Sequence, residues 1–198
     1  MHKFSPATLA LVFGALTASC ASAQSHNHAA MDHSAHVAAA SERTTPGQSG
    51  KADLINGQGA KIGAVTLSQG ATGLLMKVEA TGLTPGWHGI HLHAIAKCEA
   101  PFTSAGSHIK HNTTGVHGLL NAEGPDNGDL PNVYADATGA VNAEIFTTRA
   151  RLASAGPGEW LWDADGSALV IHANPDDHTS QPIGGAGDRV ACAVLSAQ

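Results

Sequence analysis

The stretch from Trp87 to Cys98 reads WHGIHLHAIAKC, with His91 and His93 two residues apart. On an extended segment successive side chains point to opposite faces, so these two imidazoles share a face and Leu92 turns away. Histidines so placed make half of a metal site. The other half must come from far along the chain, and the candidates are His108 and His117 in the next segment and His172 near the end. A separate tract near the N-terminus carries His26, His28, His33 and His36 with Met31, a composition that captures soft or borderline metals. Structurally that tract reads as a solvated linker.

The elements that must position these histidines read as short strands. ADLING, AKIGAVTLSQ and TGLLMKVEATGL are rich in β-branched and aliphatic residues and are separated by Gly57, Gly59, Gly70 and Gly73. Thr84-Pro85-Gly86 marks a turn just before the histidine strand. Ala94 to Pro131 then shows almost no periodicity, and a loop of that length inside a domain is usually functional. VYADA, VNAEIFTTRARL and GEWLWDADGSALVIH resume the strand pattern, the last ending in a buried-looking run from Ala168 to Ile171 that delivers His172. A second irregular loop, Ala173 to Asp188, precedes the closing RVACAVL. Eight or so strands with two long loops read as an antiparallel all-β sandwich or barrel.

The bulk numbers agree with one domain plus appendages: 198 residues, 42% hydrophobic, 23 glycines and few aromatics. Residues 1–23 read as a secretory signal, with Lys3 in the n-region, an apolar run from Ala7 to Leu16 and an Ala21-Ser22-Ala23 cleavage site. Lipidation at Cys20 ranks below cleavage, since Thr17 stands where a lipoprotein signal usually has Leu. Residues 24–50 are the His-rich linker and 51–198 the folded domain. No run of eighteen apolar residues follows the leader, so no membrane span is expected in the mature chain. Removing Lys3 takes the formal charge from -6 to -7, and no basic stripe is visible, which excludes nucleic acid as an expected partner.

Export changes how the thiols read. The mature chain keeps Cys98 and Cys192, either as two buried thiols or as one bridge, and an oxidising compartment favours the bridge. It would close a loop of about 95 residues.

HGIHLH, the separated His108 and His117, GDLPN at Gly128 to Asn132, HANPDD from His172 and the closing GAGDRVACAV together resemble the copper,zinc superoxide dismutases, specifically the exported bacterial type. The resemblance covers about residues 52–196, with five motifs in the family's order. It implies an eight-stranded antiparallel Greek-key sandwich or barrel of immunoglobulin-like architecture, a family already counted among such sandwiches. It also implies dismutation of superoxide to oxygen and hydrogen peroxide by a copper centre cycling between Cu(II) and Cu(I), with zinc beside it, in an antioxidant enzyme of the periplasm. The implied copper ligands are His91, His93, His108 and His172. His108 would be a catalytic ring shared with zinc, whose other ligands would be His117 and Asp129. Arg189, three residues before Cys192, matches the catalytic arginine that guides the anion, and Asp176 matches an aspartate that holds copper and zinc histidines in register.

At one position the chain departs from the family: Asp126 stands where a histidine is expected. Zinc accepts carboxylate oxygen at about 2.0 to 2.2 Å, so Asp126 is expected to serve as the fourth zinc ligand with altered affinity. Superoxide and a copper donor are the expected partners, and a homodimer and a monomer both stay open. The rival reading is a periplasmic copper buffer on the same fold, which would have no use for Arg189. His88 lies an odd number of residues from His91 and His93 and reads as a structural histidine. Trp87, Trp160 and Trp162 read as packing residues.

Overall fold

The computed structural model describes residues 47–111 and 115–197. The expected leader and the histidines at 26, 28, 33 and 36 lie outside the described residues.

Among the described residues eleven strands follow one another: β1 (Ser49–Asn56), β2 (Lys61–Gln69), β3 (Leu74–Ala80), β4 (Gly86–His88), β5 (Ile90–His93), β6 (Val133–Ala135), β7 (Val141–Thr147), β8 (Ala150–Arg151), β9 (Glu159–Trp160), β10 (Ser167–His172) and β11 (Arg189–Leu195). Ser49 pairs with Ser68, so β1 starts two residues ahead of the expected domain start. Seven strands form one antiparallel sheet in the order β5-β10-β11-β1-β2-β3-β7. β4 and β5 are one strand broken at Gly89: its first half pairs with β6 and its second with β10. A hairpin, Asp136 N donating to Ala140 O at 2.9 Å, carries β6 into β7. The two edges of the seven-stranded sheet are thereby linked through the β4–β6 ribbon, and the sheet curls into a barrel. With β4 and β5 counted together, eight strands make up its wall, in the non-sequential order of a Greek key.

The structure departs from the expected pattern in three places, one being GEWLWDADGSALVIH, which is interrupted between β9 and β10. VNAEIFTTRARL splits at Arg149, whose N–H is taken by Thr147 Oγ1 at 3.1 Å, and β8 then runs parallel to β9 as a two-residue ladder outside the barrel wall. Trp87 is not a core residue: at 56% exposure it packs edge-on against Tyr134, because its neighbour His88 takes the inward side of β4.

Alternation sets the core. On β3 Leu74, Met76, Val78 and Ala80 are buried while Leu75 and Glu79 are exposed. They meet Leu54, Val65, Leu67, Ile90, Leu92, Leu169, Ile171, Ala191 and Ala193 inside the barrel. Each fully buried Leu or Ile contributes about 1.5–3 kcal/mol. β10 is buried along its whole length because its outer face is covered too. Ala168, Val170 and Cys192 pack there under Phe102 and Ala105 of the long loop, and the Cys98–Cys192 disulfide ties that loop to β11.

Candidate metal centre

That covered outer face carries the site. Leu92 and Ile90 point into the barrel, so His91 and His93 point out. Leu169 and Ile171 point in, so Val170 and His172 point out beside them. Arg189 reaches this side through a β-bulge. Ile171 faces Ala191, but His172 faces Arg189, leaving Val190 as the extra residue, and Val190 packs against the barrel core. Without the extra residue, an odd separation of three from Cys192 would turn Arg189 to the opposite face.

The long loop supplies the remaining ligand-type residues by adding itself to the free edge of β5. Leu92 N donates to Gly128 O at 2.8 Å and Ile109 N donates to Leu92 O at 3.0 Å. These bonds set His108 opposite His93 and Asp129 opposite His91. Gly128 permits the approach, since a Cβ there would overlap the Leu92 carbonyl.

Two buried groups result. His91, His93, His108 and His172 each offer a ligating atom within 4.8 Å of the others, and so do His91, His108, His117 and Asp129. In the first group, His91 Nδ1 and the Nε2 atoms of His93, His108 and His172 are buried with no hydrogen-bond partner. The opposite nitrogen of each ring donates to an acceptor: His91 to Asp176 Oδ2 at 2.8 Å, His93 to Gly106 O at 2.9 Å, His108 to Asp129 Oδ1 at 3.1 Å and His172 to Gly187 O at 3.0 Å. Each acceptor fixes the tautomer that leaves a lone pair on the unpartnered nitrogen. Buried polar atoms are costly when unpaired, and four convergent lone pairs fit a metal cation. Burial disfavours the charged form of three of these rings, lowering His91 and His172 to about 4 and His93 to about 2.

In the second group His117 is gripped at both nitrogens, donating Nδ1 to Asp129 Oδ1 at 2.8 Å and Nε2 to Asp176 Oδ1 at 3.1 Å. Burial opposes its charge, but the two carboxylates outweigh it and raise its pKa to about 9. Burial likewise opposes charge on Asp129 and Asp176, and their histidine and backbone donors still hold both well below the usual carboxylate range. Asp176 thus joins His91, which belongs to both groups, to His117 of the second. His108 also faces both, with Nε2 toward the first and Nδ1 toward Asp129.

Arg189 donates to Phe102 O at 2.6 Å and Gly106 O at 2.7 Å, at the edge of the first group. Asp126 joins neither group: its Oδ2 accepts from Lys110 at 2.7 Å and its Oδ1 is buried without a partner. His88 has both ring nitrogens against carbonyls, His172 O at 2.6 Å and Thr84 O at 2.7 Å. Three supporting side chains escaped the sequence reading. Asn132 exchanges hydrogen bonds with the backbone of Asp176, Gln181 does so with the backbone of His117, and Lys110 holds Asp126. No local pattern marks them, although Asn132 lies inside the GDLPN motif.

A curled Greek-key barrel carrying two adjoining buried clusters of imidazole and carboxylate on its outer face defines a two-metal β-barrel protein. Residues 61–195 match the family model for copper/zinc superoxide dismutase, and the chain belongs to that family. A Cu-Zn superoxide dismutase of Caulobacter vibrioides is 54% identical over 140 residues, covering 70% of this chain and 80% of the relative. One from Aquifex aeolicus is 42% identical over 146 residues, covering 73% and 85%. Among solved structures, a mutant of a SOD-like protein from Bacillus subtilis superposes with a TM-score of 0.71 at 32% identity, covering 76% of this chain and all of that one. The Cu/Zn superoxide dismutase of Brucella abortus gives 0.60 at 27%, covering 75% of this chain and all of that one. Copper and zinc are the metals of the family.

Proposed function

We propose that this chain dismutates superoxide to oxygen and hydrogen peroxide at copper held by His91, His93, His108 and His172, beside zinc held by His108, His117, Asp129 and Asp126. The observation that carries the reading is the four convergent, unpartnered imidazole nitrogens, each fixed from behind by an acceptor. Copper in an all-imidazole cradle supplies the one-electron Cu(II)/Cu(I) couple that dismutation needs. The protein's part is placement. Asp176 holds His91 and His117 in mutual register, and His108 is the ring facing both ions, which makes it a catalytic residue in this reading.

Arg189 is the anion guide. Two of its N–H groups are spent on Phe102 and Gly106, which fixes the guanidinium and leaves its other donors and its charge for superoxide. Local positive potential draws an anion toward the site even on a protein of negative net charge. A copper buffer has no need of such a group.

A superoxide decay assay on copper-loaded protein beside His172→Ala and Arg189→Ala separates the two readings. The enzyme loses turnover at His172→Ala and loses rate with its salt dependence at Arg189→Ala. Copper-loaded parent protein with no turnover would leave only the buffer.

The proposal extends to export into the periplasm through cleavage after Ala23, a folded domain that begins with β1 at Ser49 rather than at residue 51, and loading from a copper donor, as a monomer or a homodimer. The N-terminal histidines 26, 28, 33 and 36 are its capture tract. Deleting residues 24–50 then slows copper uptake when the metal is scarce and leaves loaded turnover intact, and sedimentation of the mature protein reads the oligomeric state.

A further inference from the structure

We propose that Lys110 is a built-in counter-cation that sets the metal affinity of the second group by acting through Asp126. The inference rests on the reading of His108, His117 and Asp129 as zinc ligands and asks what the Asp126 carboxylate does beside them.

Asp126 is tied to that group through its backbone. Its N–H donates to Asp129 Oδ2 at 3.0 Å, and Asp129 N donates back to Asp126 O at 3.2 Å. Its side chain is 0% exposed, so the chain has buried a second carboxylate one turn from the first. A buried charge without a partner is heavily penalised. Lys110, two residues after His108, answers it. Its side chain is 40% exposed, and it brings Nζ to 2.7 Å from Asp126 Oδ2 and 3.3 Å from Gly115 O. The stem runs inward from solvent while the ammonium meets the carboxylate.

The pair is neutral taken together, as a histidine in that place would be. It is not complete, because Asp126 Oδ1 remains buried with no donor. An incoming divalent cation is the partner that oxygen lacks. Lys110 and the cation then draw on one carboxylate from its two oxygens. Charge already neutralised by the ammonium is charge the metal cannot gain from. Lys110 therefore weakens the site while protecting the ion-free protein from an unpaired buried carboxylate. Removing the ammonium destabilises the ion-free state more than the ion-bound one, and by linkage the affinity rises.

The test is zinc affinity of the copper-loaded, full-length protein, read by competition with a chromophoric chelator. The visible spectrum of the cobalt(II)-substituted protein reports the donor set. Asp126→Asn is expected to weaken zinc by about tenfold or more and to change the cobalt spectrum, since it removes a charge-assisted bond. Lys110→Met is expected to tighten zinc by about tenfold while lowering the melting temperature of the zinc-free protein. That gain disappears in the Asp126→Asn background, and Lys110→Arg stays close to the parent. Should Lys110→Met not fold without zinc, Lys110→Gln keeps a neutral donor on Oδ2 and is expected to tighten zinc as well. Unchanged or weaker zinc binding in the lysine variants, or a gain that persists in the Asp126→Asn background, overturns the proposal. His117→Ala is the control for the underlying reading: zinc affinity indifferent to it would remove the second site itself, whatever the lysine variants do.

Discussion

Arg189 and His93 share one oxygen. The carbonyl of Gly106 accepts from the guanidinium at 2.7 Å and from His93 Nδ1 at 2.9 Å, so the proposed anion guide and one of the proposed copper-holding rings are set by the same loop. Phe102 O, the second acceptor of Arg189, belongs to that loop as well. A planar fork holds two carbonyls at once and an ammonium does so poorly. Arg189→Ala is expected to lower kcat/KM by about tenfold or more and to flatten its dependence on ionic strength. Arg189→Lys should keep the salt dependence and recover only part of the rate. Superoxide decay across a salt series, with copper content checked, reads both.

The disulfide anchors that loop. Cys98 and Cys192 are 94 residues apart, and Cys192 lies on β11 with Arg189. The chain-entropy account assigns such a bridge about 4–5 kcal/mol. Cys98→Ser is expected to lower the melting temperature strongly. In protein that still folds it should reduce turnover at unchanged copper content, because the carbonyls of Phe102 and Gly106 are no longer held against β11. Equal specific activity per copper would show that the bridge serves stability alone.

Gly184 guards the link between the two groups. It sits at φ +62°, and a Cβ there would overlap Asp176 Oδ1 and come within 2.9 Å of His117 Nε2. Gly184→Ala is therefore expected to push Asp176 off His117 and to destabilise the protein by about 1–3 kcal/mol. Asp176→Ala, which removes the bridge outright, should lower affinity at both metals by about 10- to 100-fold. Chelator competition for each metal checks these values, and an effect confined to one metal would contradict a shared brace.

Protons should destabilise the metal-free protein in a defined window. His91 and His172 are held near 4 and His93 near 2 by burial, whereas an unfolded histidine titrates near 6.5. Between those values the unfolded chain binds more protons, so stability falls as pH drops below about 6.5. His117 has the opposite sign. Raised to about 9 by Asp129 and Asp176 against burial, it contributes fully below 6.5 and its contribution is lost as pH rises through 9. Urea midpoints of metal-free protein are thus expected to peak near pH 6.5, and copper-loaded protein, whose ligand rings cannot take up protons in the folded state, should fall at least as steeply on the acid side.

Parts of this arrangement were legible in the residues and parts were not. The i, i+2 spacing of His91 and His93 already placed both on one face, and the run from Ala168 to Ile171 announced the strand that delivers His172. His88 was separable from them by parity alone. The break at Gly89, which lets one strand pair with β6 and then β10, leaves no mark that distinguishes it from any other glycine. Nor does the bulge at Val190, without which Arg189 would lie on the wrong side. Lys110, Asn132 and Gln181 act across 16, 44 and 64 residues of chain, beyond the reach of any periodicity.

The order of residues alone determined which histidines and carboxylates this protein has to spend, the strands that carry two of them, and the family it belongs to. Those follow from side-chain type and from a backbone period of two, which are local properties. Tertiary structure alone decided that the loop edge zips onto Leu92, that one nitrogen of each ring is occupied from behind, and that Asp126 meets a lysine. Such facts depend on which distant backbone groups arrive at hydrogen-bonding distance, and that is settled only when the barrel closes and the loops are laid across its outer face.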